Sequence, residues 1–127
     1  MANRNLTHSQ VLNRGEVIIC GSFAPNGAGA VDAAGNEGIG WSVARTAVGT
    51  FTVTLEDKWI ALLSGQAHLQ HVTPIGALAQ LGPTDVSSAL TVVVSVIDTA
   101  TGLPADIVAD ANSRVHFELR LKNSTVN

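Results

Sequence analysis

The chain of 127 residues is 46% apolar and 13% charged with a formal charge of −3, long enough for one domain with a real core and too apolar for a disordered chain. Seven basic residues are too few for a phosphate-neutralising surface, and no apolar run approaches the roughly 20 residues of a membrane span, so neither nucleic acid nor membrane is expected as a partner. The lone cysteine, Cys20, excludes an intrachain disulfide and a cysteine zinc cluster.

Fifteen Val, 11 Thr and 7 Ile stand against four Glu and four Gln. β-Branched side chains lose χ1 freedom on a helix and pack well on a pleated sheet, so the composition predicts an all-β chain. Residues 1–14 are polar and follow neither the helical nor the strand period. Two readings stay open for them: a frayed terminus, or an extended N-terminal arm that orders against a neighbouring subunit by strand addition. Arg4, Thr7, His8 and Gln10 interrupt the apolar run that a secretory signal requires, so none is expected. The organisation expected is an arm over 1–14 and a single β domain over 15–127.

Residues 16–23, with Val17, Ile18 and Ile19, form the first expected strand. Ala24, Pro25, Asn26 and Gly27 then lead into a Gly/Ala stretch over 28–40, which has little side chain to bury and is expected as surface loop. Trp41 and Val43 favour one face of a strand over 41–47. Over 50–55, Phe51, Val53 and Leu55 alternate without a fault against Thr50, Thr52 and Thr54, the period of two of a half-buried strand. Gly49 supplies the positive φ of a tight reversal between them, which predicts a β-hairpin. The β-branched Val48 disfavours a type I′ turn there and favours a bulged or type II connection.

Residues 56–64 contain Trp59, Ile60, Leu62 and Leu63 and read as a turn or a short helical pass capping the core. A strand is expected over 66–72, with Ala67, Leu69 and His71 alternating against His68, Gln70 and Val72. For 74–83, a short strand and a helical turn are equally supported. Residues 90–97 are apolar on both faces, as in a central strand buried from two sides. Over 115–122, Val115, Phe117, Leu119 and Leu121 face the core while His116, Glu118, Arg120 and Lys122 face outward. The long excursion between these strands, 98–113, carries Ile107 and Val108. About six strands with turn signals between them predict a β-sandwich, jelly-roll-like in character.

Patterns that carry chemistry are weak. Gly40-Trp41-Ser42-Val43-Ala44 is one residue short of a nucleophile elbow, with Asp85, Asp98 and His116 downstream. Ala44 replaces the second glycine and the segment continues as a strand, so no enzyme is expected. His68 and His71 fall on opposite faces of a strand, while His116 and Glu118 share one, which makes a weak surface metal site geometrically possible. No third ligand clusters with them, and the reading is solvated histidines and no metal. The glycines of 35–40 lack dinucleotide spacing and a following helix, and Asp106 and Asp110 lack the alternating oxygens of a calcium loop, so no cofactor is expected. Trp41 and Trp59 read as core or interface anchors. What remains is a binding or structural module that works through its surface.

The run Gly40-Trp41-Ser42-Val43-Ala44-Arg45-Thr46, followed by Gly49-Thr50-Phe51-Thr52-Val53-Thr54-Leu55-Glu56-Asp57, resembles small virion proteins of tailed bacteriophages. In these, Ser-Val-x-Arg-x-x-x-Gly-x-(Phe/Tyr)-x-Val-Thr-(Leu/Phe)-x-Asp precedes a β-rich stretch, and the chain closes on a segment like 115–124. The resemblance is strongest to a capsid decoration (cement) protein. It implies a virion component made in the host cytoplasm and seated on the outer capsid surface, where it reinforces contacts between major capsid protein subunits. The partners expected are the major capsid protein and further copies of the chain, a trimer being favoured over a dimer because linked contacts in a closed oligomer gain avidity. The arm and the long loop are the candidate shell contacts, through Arg4, Asn5, Leu6, His8, Val11, Leu12, Arg14, Ile107 and Val108. A tail or tail-tip receptor-binding β module is the alternative, which exposed rings at Trp41 or Trp59 along a groove would favour.

Overall fold

Strand alternation in the sequence becomes seven strands in the computed structural model, which describes residues 15–109 and 112–122. They are β1 (Glu16–Phe23), β2 (Trp41–Ala47), β3 (Thr50–Leu55), β4 (Ala61–Gln70), β5 (Ala77–Asp85), β6 (Thr91–Asp98) and β7 (Arg114–Lys122). All pairings are antiparallel. One sheet has the order β1-β7-β4 and the other β2-β3-β6-β5. The helical content among the described residues is a single 3-10 turn, Ala33–Gly35. The expected arm over 1–14 lies outside the described residues.

The two sheets meet through their inner faces. Phe23 of β1 packs on Phe51 of β3 with ring centroids 4.9 Å apart, and Trp41 of β2 meets Phe117 of β7 edge-on at 4.8 Å. Val53 and Leu55, Val92, Val94 and Val96, and Val115, Leu119 and Leu121 complete one continuous core from both sheets. The fold is therefore an all-β sandwich, as the composition and the alternation predict. Gly21 is part of this packing: a Cβ there would lie 2.4 Å from the Trp41 ring, so only glycine lets the indole slide under β1.

The β2–β3 hairpin carries a register shift between Arg45 and Ala47, the bulged connection expected from Val48. Gly49 sits at φ +58° with the Ala105 backbone where a Cβ would go. The second face of β6 departs from expectation. Thr91, Val93, Ser95 and Ile97 are only half-buried, because no second layer of described residues covers the outside of the four-stranded sheet.

The expected turn or helical pass over 56–64 is a turn only over 56–60, and its remainder is corrected. The Ile60 amide bonds the Lys122 carbonyl and Ala61 pairs with Lys122, so 61–64 extend β4 along β7 with a bulge between Leu62 and Ser64. Main-chain donors captured by an existing strand outweigh a local apolar run that has no period of its own. Of the two readings left open for 74–83, the strand is correct. β5 tolerates Gly82 and Pro83 because it is an edge strand whose register shifts between Leu81 and Thr84.

Two arginines fasten the long connections. Arg114 donates to the Ser22 hydroxyl at 2.9 Å and to the Gly35 carbonyl at 2.7 Å, which ties the Gly/Ala loop to β1. Arg45 does the same for the β6–β7 connection through Asp106. That connection also returns onto the sheet, with the Ala105 amide on the Val96 carbonyl and the Asp98 amide on the Leu103 carbonyl.

Candidate interaction surfaces

The sandwich presents two outer faces of opposite character. On the four-stranded sheet the outward positions follow from the register: Ser42 opposes Thr54, Ala44 opposes Thr52, Thr52 opposes Val93 and Leu78 opposes Ile97. Most of these side chains are short, β-branched or hydroxylic, with Leu78 and Gln80 as the longer ones, and among the described residues none is charged until Asp85 at the margin of β5. A hydroxyl contact, Thr46 Oγ1 to Thr52 Oγ1 at 3.2 Å, spans the bulged hairpin. Leu78 remains 47% exposed on this face, so apolar area is left in contact with water. Among its described residues the face carries no ionised side chain, so covering it avoids ion desolvation, while its hydroxyls still need hydrogen-bond partners.

The three-stranded sheet is its opposite. β7 sends His116, Glu118, Arg120 and Lys122 outward, and β4 adds Gln66, His68 and Gln70. An open groove of about 450 Å³ runs along this face, with Cys20, Glu37, His68, His116 and Glu118 among its walls. His68 and His116 are direct partners in the β4–β7 ladder. His116 Nε2 lies 2.6 Å from Gln70 Oε1 and His68 Nε2 lies 3.3 Å from Gln66 Oε1. Among the described residues no group of three or more His, Cys, Asp or Glu side chains converges to hold a metal ion.

Cys20 opposes Glu118, with Sγ 4.0 Å from Oε2. Partial burial of the sulfur, and then the Glu118 charge, push the thiol pKa up. The shift favours the protonated thiol over the thiolate, the reverse of what a nucleophile needs.

Of the residues singled out in the sequence, Ser42 and His116 point out of opposite faces of the sandwich and cannot form a dyad. Ile107 is buried in the core at 7% exposure while Val108 stands out at 79%, so of this pair Val108 alone is presented to a partner. Alternation on the loop was not available to separate them. Arg4, Asn5, Leu6, His8, Val11, Leu12 and Arg14 lie outside the described residues. Trp41 is core and Trp59 packs against it, so neither ring forms an exposed stacking platform. The residues carrying the phage resemblance are occupied in folding. Val43, Phe51, Val53 and Leu55 pack in or on the core, Arg45 holds Asp106, and Gly49 makes the turn.

The facing of His68 and His116, and the uncharged outer face, escaped sequence reasoning because both depend on which strands are neighbours. No family model, curated protein or solved structure matches the chain.

Proposed function

We propose that the chain is a capsid decoration protein of a tailed bacteriophage, which binds the outer surface of the head as a homo-oligomer and reinforces contacts between major capsid protein subunits. The single observation that carries the reading beyond the sequence resemblance is the uncharged outer face of the β2-β3-β6-β5 sheet, set against a charged face on the other side. A reinforcing protein needs a stiff body with one side that loses water readily and another that stays hydrated. Burial of neutral β-branched side chains supplies association free energy at about 25 cal/mol per Å² without the cost of desolvating ions. Loops fastened by Arg45 and Arg114 limit the conformational entropy lost on binding.

The test is co-sedimentation of the purified chain with heads assembled from the major capsid protein. Saturable binding to heads, with sedimentation velocity giving a trimer or dimer, is the expected outcome. Binding to tails and not to heads, or to neither, overturns it. With both tryptophan rings committed to the core, the tail-tip reading gains no support from an exposed aromatic groove.

A further inference from the structure

We propose that His68 and His116 form a two-point chelating site for a divalent transition-metal ion of the Ni²⁺, Cu²⁺ or Zn²⁺ class on the outer face of the three-stranded sheet. Antiparallel register places the two residues directly opposite each other on β4 and β7. Cβ atoms of such pairs are about 4.5–5.5 Å apart, and both side chains leave the sheet on the same side. Each ring has its Nε2 against a glutamine carbonyl oxygen, Gln70 for His116 and Gln66 for His68. An amide oxygen only accepts, so Nε2 is the donor of each ring and, on the neutral ring, Nδ1 is the lone-pair nitrogen.

That is the arrangement of a metal-binding imidazole: one nitrogen held by an outer acceptor, the other free to coordinate. The surroundings favour a cation. Glu37 and Glu118 share the groove, while the guanidinium of Arg114, two positions before His116 on β7, is engaged by Ser22 and Gly35. Imidazole nitrogens suit borderline metals of this class, and water fills the positions that two protein ligands leave open. The site thus differs from a closed structural zinc centre, which needs four protein ligands. The motif is invisible to sequence spacing, because the two histidines lie 48 positions apart and meet only through the β4–β7 pairing.

Titration of the full chain with Ni²⁺ at neutral pH, followed by calorimetry, tests the proposal, since this ion does not oxidise the neighbouring Cys20. One saturable site is expected, accompanied by a metal-dependent rise in Tm because the ion binds only the paired strands. His68→Ala and His116→Ala should each weaken binding on the order of 10²-fold, since either converts a chelate into a single contact. His71→Ala should leave it unchanged, because His71 sits beyond β4 and bonds the Thr73 carbonyl instead. The His68 and His116 side chains are exposed, so the metal-free Tm of their variants stays near the parent value. Failure of the parent chain to saturate below about 1 mM Ni²⁺ overturns the site. So does equal affinity in the parent chain and either variant.

Discussion

Arg45 holds Asp106 across 61 positions of the chain, Nε donating to Oδ1 at 3.0 Å and a terminal nitrogen to Oδ2 at 2.7 Å. The Gly49 amide adds a third donor to Oδ1 at 2.8 Å. One carboxylate thereby joins the β2–β3 turn to the connection that precedes β7. The bidentate geometry matters more than the charge, because the fork fixes the loop in orientation as well as in distance.

The Arg45 side chain first, and the Gly49 amide second, hold Asp106 below the usual carboxylate range. A lowered folded-state pKa gives stability that is complete above the unfolded value of about 3.9 and is lost as the pH falls through the folded value. Asp85 acts in the same window and direction, lowered by the backbone amides of Ser88 and Ala89. Asp106→Asn should lower Tm by a few degrees at pH 7 and flatten the loss of stability below about pH 4. Thermal melts between pH 2 and 7 check this, and an unchanged acid limb in the variant contradicts it.

Gly49 and Gly102 both have positive φ, +58° and +70°, but their surroundings differ. A Cβ on Gly49 would lie 2.5 Å from the Ala105 amide nitrogen and 2.8 Å from the Val96 carbonyl, whereas one on Gly102 meets nothing within 4 Å. Gly102→Ala should therefore cost only the left-handed penalty, about 1–2 kcal/mol. Gly49→Ala carries that penalty plus a backbone clash, about 3 kcal/mol or more in total. Urea unfolding of the two variants measures the difference.

Phe51 is 1% exposed and packs tilted against Phe23, while Thr54 on the same strand faces out. Phe51→Ala should destabilise by about 3–5 kcal/mol, through lost burial and the cavity it leaves. Thr54→Ala should stay within about 0.5 kcal/mol. Equal effects at the two positions, measured by denaturant midpoint, would contradict the assignment of inner and outer faces.

Thr52 and Val93 are register partners at the middle of the uncharged face. Replacing both with lysine places two like charges side by side on the outside of the sheet. The double variant should fold, by far-UV circular dichroism, and lose head binding by tenfold or more, a factor of ten being about 1.4 kcal/mol. Retained head binding would remove this face from the proposed interface.

Cys20 should alkylate more slowly than a free thiol at pH 8, since partial burial and the Glu118 charge both favour its protonated form. Glu118→Gln removes the smaller of the two effects and should speed the reaction severalfold. Stopped-time labelling with iodoacetamide gives the rates, and a slower reaction in the variant would reverse the assigned electrostatics.

The alternation of Phe51, Val53 and Leu55, and of Val115, Phe117, Leu119 and Leu121, was enough to assign strands and their inner faces. That is so because side-chain direction along a strand is a local, two-residue property. Gly49 marked its turn for the same reason: positive φ is a demand on one residue. Residues 61–64 have no such local rule, and their strand exists because β7 is there to accept it. Ile107 and Val108 are adjacent and chemically alike, yet one is core and the other surface. The tertiary fastening of their loop separates them, through Arg45 on Asp106 and the Gly27 amide on the Ile107 carbonyl. The meeting of His68 with His116, and the collection of neutral side chains on one outer face, belong to strand order and register. Those are set by long-range pairing, whose loop-closure entropy and packing are shared over the whole chain and written in no single segment of it.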